Sequence, residues 1–201
     1  MVTDKKLMKL ILIRHGETIE NQTNICQGQN HGQLSQMGIK QAIYLKEELS
    51  KFKIDICFSS DLKRAMDTSK IISISNGFQI IPDSRLRERN LGQLQGKEFP
   101  ENWDSLAPLY GAEKVASMIS RIENFLNEIK TKYSNNTILI VSHGITITIL
   151  ISVCTGMNLS MIQSNQLPGN CSISILINDS TKHFRLLKYN ITNHLNNMPM
   201  E

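Results

Sequence analysis

The stretch LILIRHGETIEN, residues 10–21, sets four apolar residues, Leu10 to Ile13, directly before Arg14 and His15. A continuous apolar run of this kind is the pattern of a strand buried on both faces of a parallel sheet. Its abrupt end delivers an arginine and a histidine to the strand's carboxyl edge. The arrangement recurs later in the chain: the strand-like run Thr137 to Val141 halts on Ser142-His143-Gly144, before an apolar helix from Ile145 to about Cys154.

Between these runs the periodicity alternates. Ser35 can cap a helix whose apolar residues fall at Ile39, Ala42, Ile43, Leu45 and Leu49, ending near Ser50. Ile54 to Phe58 reads as a strand, and Asp61 stands where it can cap a helix through Ala65, Met66 and Ile72. Gln79 to Pro82 is a third short strand. From Arg85 to Gly96 the chain is rich in charge and glycine, and residues 97–112 look like an irregular lid-like insertion carrying two prolines and the only tryptophan. From Glu113, the positions Val115, Met118, Ile119, Ile122, Phe125, Leu126 and Ile129 recur at helical spacing. Two closing strands, Ser172 to Ile177 and Phe184 to Tyr189, precede a tail expected to fray after Thr192. The pattern predicts one α/β domain over residues 1–201, with a mostly parallel central sheet and helices on both faces.

Composition narrows the function. Twenty-two Lys and Arg against eighteen Asp and Glu give a net charge of +4, with the basic residues scattered rather than in runs. Only 5% of residues are aromatic, so the chain offers little for stacking on nucleic-acid bases, and an anionic small molecule fits better. No window is long and apolar enough for a bilayer span or a signal peptide, so neither a membrane nor export is expected. The four cysteines, Cys26, Cys57, Cys154 and Cys171, form no C-x-x-C and no cluster at metal spacing. They read as reduced thiols of a cytoplasmic protein. No metal cage, P-loop or G-x-G-x-x-G is present, so no metal or cofactor is expected.

In open α/β sheets, ligands bind outside the carboxyl ends of the strands. The residues there are Arg14 and His15, Ser59 and Ser60 with Arg64 nearby, Glu88, and His143 with Gly144. Two arginines, two histidines and a carboxylate suit a phosphoryl group. Arginine matches phosphate oxygens bidentately, neutral imidazole can attack phosphorus, and a carboxylic acid can protonate a leaving oxygen. For Glu88 the competing reading is an ion pair with Arg85, Arg87 or Arg89. For Arg64 it is a pair with Asp61 or Asp67. His31, His183 and His194 have no partner pattern and read as surface or loop histidines.

The segments RHGETIEN (14–21), CQGQNHGQLSQMGIKQA (26–42), SSDLKRAMDTSKI (59–71), LRERNLGQLQG (86–96), LIVSHGITI (139–147) and GNCSIS (169–174) resemble the histidine phosphatase superfamily, which includes the cofactor-dependent phosphoglycerate mutases. The resemblance implies a phosphoglycerate mutase-like fold and a phosphoric monoester hydrolase that works without metal. It implies His15 as the nucleophile that becomes phosphohistidine, with Arg14, Arg64 and His143 around the transferred group. Glu88 matches the proton donor, which then acts as base toward water. Asn21, Gln27, the Gly28 backbone, Gly144 and Arg89 fall at substrate-binding positions.

Within that family, the glycolytic mutases carry a long basic insertion after the segment matching LQG, whereas here only Lys97 is basic between Gly96 and Glu113. Asn90 and Leu91 also depart from the His-Tyr pair of those enzymes. Gly111-Ala112-Glu113 stands where the family as a whole usually has G-E-S before the long helix, an altered cap on the rim that meets substrate. The balance favours a phosphatase: SSDL, DSRLRE and NCSIS look most like the branch often labelled probable phosphoglycerate mutase, whose members resemble broad-specificity or unassigned phosphomonoesterases acting on a small phosphorylated metabolite. Arg89 keeps a mutase open. An α-ribazole phosphatase of similar length and a non-catalytic phospho-ligand binder also stand as alternatives, and the sequence leaves room for a homodimer.

Overall fold

The computed structural model describes residues 7–74, 76–159, 167–178, 183–196 and 198. Six strands, β1 (Met8–Arg14), β2 (Ile56–Ser59), β3 (Ile80–Pro82), β4 (Thr137–Ser142), β5 (Ile173–Asn178) and β6 (Arg185–Ile191), form one sheet in the order β3-β2-β4-β1-β5-β6. The first four are parallel, and β5 runs antiparallel to both β1 and β6. Among the described residues the α-helices with defined bounds are α1 (Ile19–Gln22), α2 (Gln36–Leu49), α3 (Lys63–Ser73), α4 (Trp103–Leu106), α5 (Val115–Lys132) and α6 (Gly144–Thr155).

Leu10 to Ile13 are at most 1% exposed, as a strand covered on both faces requires. Alternation along the strand divides the core in two. Leu10 and Leu12, with Ile138 and Ile140 of β4, join Met118, Ile122 and Phe125 of α5 and Ile147, Leu150 and Ile151 of α6. On the opposite face Ile11, Ile13, Leu139 and Val141 pack against Ala42, Leu45 and Leu49 of α2 and Ala65 and Ile72 of α3. No helix among the described residues is long and apolar enough to cross a membrane.

Register aligns the functional ends. Arg14 lies opposite Ser142, and Ser59 opposite Val141, so the segments beginning at His15, Ser60 and His143 leave the sheet side by side. Close approach of main chains holds the first of them: a Cβ on Gly38 at the start of α2 would overlap the Glu17 carbonyl, and one on Gly16 would press on the Gly38 carbonyl. Ser35 caps α2 by accepting from Gly38 N at 3.0 Å, as its place in the sequence predicts.

Several local expectations need correction. β2 begins at Ile56 rather than Ile54, and β6 runs to Ile191. Asp61 does not cap α3, whose N-cap is Leu62 without a side-chain bond. Its carboxylate instead holds Arg87 at 2.6 and 2.7 Å, a bidentate pair worth more to it than one backbone N–H. Residues 97–112 are irregular only in part: α4 and a 3-10 turn at Ala107–Tyr110 cover 103–110, and Phe99, Trp103 and Tyr110 pack on Cys26, Leu91 and Leu94. The tail does not fray at once. Asn193–Leu195 form a 3-10 turn, and the half-buried His194 has a partner that its sequence does not show: its Nε2 donates to the Cys171 carbonyl at 3.0 Å.

Candidate active site

A cavity of about 370 Å³ opens at the carboxyl ends of β1 and β4, lined by Arg14, His15, Asn21, Gln27, Gly28, Arg64, Glu88 and Gly144, with Ile25, Leu91, Phe99, Trp103, Ile145 and Leu167 on its apolar sides. Its size suits a small metabolite. Eight of the ten residues singled out from the sequence therefore line one cavity. His143, wholly buried, packs against the His15 ring with centroids 5.1 Å apart. Arg89 alone is turned elsewhere. Its Nε donates to the Glu113 carbonyl and its Nη1 to Asp104, at 2.8 and 2.9 Å, and it does not line this cavity.

The His15 tautomer follows from its neighbours. Nδ1 lies 2.7 Å from the Gly16 carbonyl, which only accepts, so Nδ1 carries the hydrogen. Arg64 Nε, which only donates, reaches Nε2 at 3.2 Å. Nε2 is thus the atom with the free electron pair. Burial, then Arg64 and Arg14, hold the His15 pKa well below its ordinary value, so the ring is neutral. The same causes, with burial first, keep His143 neutral. Ser60 Oγ lies 2.8 Å from His143 Nε2 and accepts from Leu62 N. With the Ser60 hydrogen donated to Nε2, Nδ1 of His143 is an N–H, buried and without a partner among the described residues.

The cations are fixed by carbonyls. Arg64 donates to Asn30 and Gly28 oxygens at 2.6 and 2.8 Å. Gly28 makes this possible by taking φ +51°, where a Cβ would collide with the Gln95 side chain. Arg14 Nη1 donates to the Pro168 carbonyl at 2.7 Å, and its buried Nε has no partner among the described residues. Burial lowers the Arg64 pKa to about 10 and that of Arg14 in the same direction, offset in both by Glu88, so both stay charged near neutrality.

None of the three arginines competing for Glu88 takes it. Arg85 pairs with Asp83 and Glu128, Arg87 with Asp61, and Arg89 with Asp104. Glu88 instead caps α6, whose N-cap His143 supplies no side-chain bond: Ile145 N and Thr146 N donate to its two oxygens at 3.2 Å each, with Arg89 N at 3.0 Å. Thr146 Oγ1 lies 2.8 Å from the Arg87 carbonyl and 3.1 Å from Glu88 Oε1. The carboxyl group is thereby held at the wall of the cavity that His15 also lines. Ser60, which contacts His143, stands among the strand-end residues that the sequence points to, whereas Thr146, which contacts Glu88, was not singled out and lies two residues beyond Gly144. Among the described residues no group of three or more His, Cys, Asp or Glu could hold a metal.

The two neutral rings make stability depend on pH. The folded pKa of each lies below the unfolded one, so as pH falls through about 6.5 the unfolded chain gains protons that the fold refuses, and stability falls. Each ring contributes at most about 1.4 kcal/mol per pH unit below that point. Urea unfolding at pH 7.0, 6.0 and 5.5 is expected to show this decline, and His15→Gln to remove about one proton's share of it. Equal slopes in the two proteins would contradict the assignment.

The histidine phosphatase superfamily (branch 1) profile matches residues 10–192. "Phosphoserine phosphatase 1" of Hydrogenobacter thermophilus is 30% identical over 208 aligned positions, covering 97% of this chain and 98% of that protein. Among solved structures, a phosphoserine phosphatase of Entamoeba histolytica in complex with 3-phosphoglyceric acid superimposes with a TM-score of 0.80 at 30% identity, covering 94% of this chain and 99% of that one. A mycobacterial glucosyl-3-phosphoglycerate phosphatase in complex with VO3 gives 0.82 at 27% identity, with 90% and 98% covered. With nearly its whole length matched, and with arginine, histidine and carboxylate gathered at the strand ends, the chain belongs to branch 1 of the histidine phosphatase superfamily.

Proposed function

We propose that the protein is a phosphomonoesterase that hydrolyses a small phosphorylated metabolite, of the phosphoserine or phosphoglycerate type on which its relatives act, through a phosphohistidine at His15. The observation that carries this reading is the fixed tautomer of His15, which directs the free pair of Nε2 into a cavity holding two arginines and a carboxyl group. Arg64 gives up its bond to Nε2 when phosphoryl oxygens arrive to take it. Nε2 then attacks phosphorus, the ester P–O bond breaks, and the leaving oxygen takes the proton of Glu88. The Gly16 carbonyl, accepting from Nδ1, stabilises the positive charge that attack builds on the ring. Arg14, Arg64, Asn21 and the N–H of His143 Nδ1 meet the equatorial oxygens, with Gln27 and the N-terminus of α6 at Gly144 completing the cradle. In the second half, Glu88 accepts a proton from water, whose oxygen attacks phosphorus as the P–N bond breaks.

Phosphatase is preferred to mutase because the residue that kept the mutase open, Arg89, is tied to Asp104 and Glu113. Ile25, Leu91, Phe99 and Trp103 supply no cation for a second phosphate. The four buried, free cysteines fit a cytoplasmic enzyme. The test is phosphate release from p-nitrophenyl phosphate, phosphoserine, 3-phosphoglycerate and α-ribazole phosphate without added metal. Metal-independent release supports the reading, whereas interconversion of 3- and 2-phosphoglycerate with no net release would replace it by the mutase.

A further inference from the structure

The segment GNCSIS, residues 169–174, takes no part in the chemistry above, yet it lies under it. Because β5 runs antiparallel to β1, the turn that starts β5 abuts the end of β1. Cys171 N donates to the Arg14 and His15 carbonyls at 3.0 and 3.3 Å. To do so Cys171 adopts φ +53°, a left-handed conformation costly for a side chain, and its own carbonyl is held by His194. This turn brings Asn170 to two groups of the site. Its Nδ2 donates to the His15 carbonyl at 3.0 Å and to Asn21 Oδ1 at 3.3 Å.

We propose that Asn170 is a positioning residue of the phosphoryl site, acting chiefly through Asn21. This rests on the reading of Asn21 as a phosphate ligand. Asn21 Oδ1 also accepts from Thr18 N at 3.1 Å in the capping box of α1. With two donors on the oxygen, a flip of the Asn21 amide loses both bonds and turns its NH2 toward two N–H groups. The NH2 is thereby kept for the anion. Removing Asn170 leaves only one bond against the flip, whereas the His15 carbonyl keeps Cys171 N as a donor. The effect therefore passes to Asn21 more than to His15.

The experiment is a double-mutant cycle on kcat/KM for p-nitrophenyl phosphate and on inhibition by orthovanadate, with thermal unfolding of each protein alongside. Asn170→Ala is expected to lower kcat/KM about tenfold and to raise the vanadate inhibition constant by a similar factor. In the Asn21→Ala background, the same change is expected to cost no more than about twofold. A loss of equal size in both backgrounds, or one without a change in vanadate inhibition, would overturn the proposal. So would wild-type behaviour of Asn170→Ala. Should Asn170→Ala not fold, Asn170→Asp, of the same shape but with acceptors where the donors were, gives the same decision. If the wild-type protein neither hydrolyses the ester nor binds vanadate, the reading of the site falls and this inference with it. Activity that survives the loss of Asn170 removes this inference alone.

Discussion

His15→Ala is expected to slow phosphate release from p-nitrophenyl phosphate by at least about 10⁴-fold, because no other side chain among the described residues can take the place of Nε2. Among the described residues, the cavity walls hold no serine, lysine or cysteine. His143, the nearest imidazole, is committed through Nε2 to Ser60 and wholly buried. Cys171, beneath the site, has its thiol pKa raised by burial, so it offers no thiolate. A chemical quench in alkali, which preserves a phosphorus–nitrogen bond, is expected to trap phosphate on the wild-type protein and none on the variant. Residual release within tenfold of wild type would mean that water is activated directly, with His15 serving only as a ligand.

The charge pattern explains why such a site waits for a phosphoryl group. Two guanidinium groups stand beside two imidazoles that burial and those same cations keep neutral. A phosphate dianion supplies the missing counter-charge. On the proposed function, the field that lowers the His15 pKa is also the field that binds substrate, and the proposed nucleophile, which would be protonated in weak acid elsewhere, stays unprotonated here.

The strand ends were legible in the sequence because a buried parallel strand writes itself as an apolar run, and the residues that interrupt it are those the sheet delivers to the ligand edge. Arg14, His15, His143 and Gly144 stand at such interruptions in the sequence itself. Glu88 was harder. Three arginines crowd it in sequence, and only the fold shows that Asp61, Asp83, Asp104 and Glu128, up to 43 residues from the arginines they bind, draw those cations away. Arg89 was misplaced for the same reason, since its partners lie on the rim that periodicity could describe only as irregular. Asn170 and His194 act through an antiparallel strand inserted beside β1. Strand order is a property of the whole topology, and no local pattern carries it.

The second large effect falls on Glu88 and depends on what is leaving. Glu88→Gln keeps the size of the side chain and an oxygen that can accept from Thr146 N and Arg89 N, while its NH2 faces Ile145 N, an arrangement costing about 1 kcal/mol of stability. The protein is therefore expected to fold. An alkoxide such as that of phosphoserine cannot depart without a proton, so its hydrolysis is expected to fall about 10³-fold. p-Nitrophenolate departs unaided, and attack by His15 on its ester survives. The second half does not, because water loses its base. With p-nitrophenyl phosphate the variant is expected to release one equivalent of p-nitrophenol per site in a burst and then to stall as phosphoenzyme, visible by stopped-flow absorbance. Equal losses for the two esters with no burst would leave Glu88 as no more than the cap of α6, and the proton donor would then have to be sought elsewhere on the cavity wall.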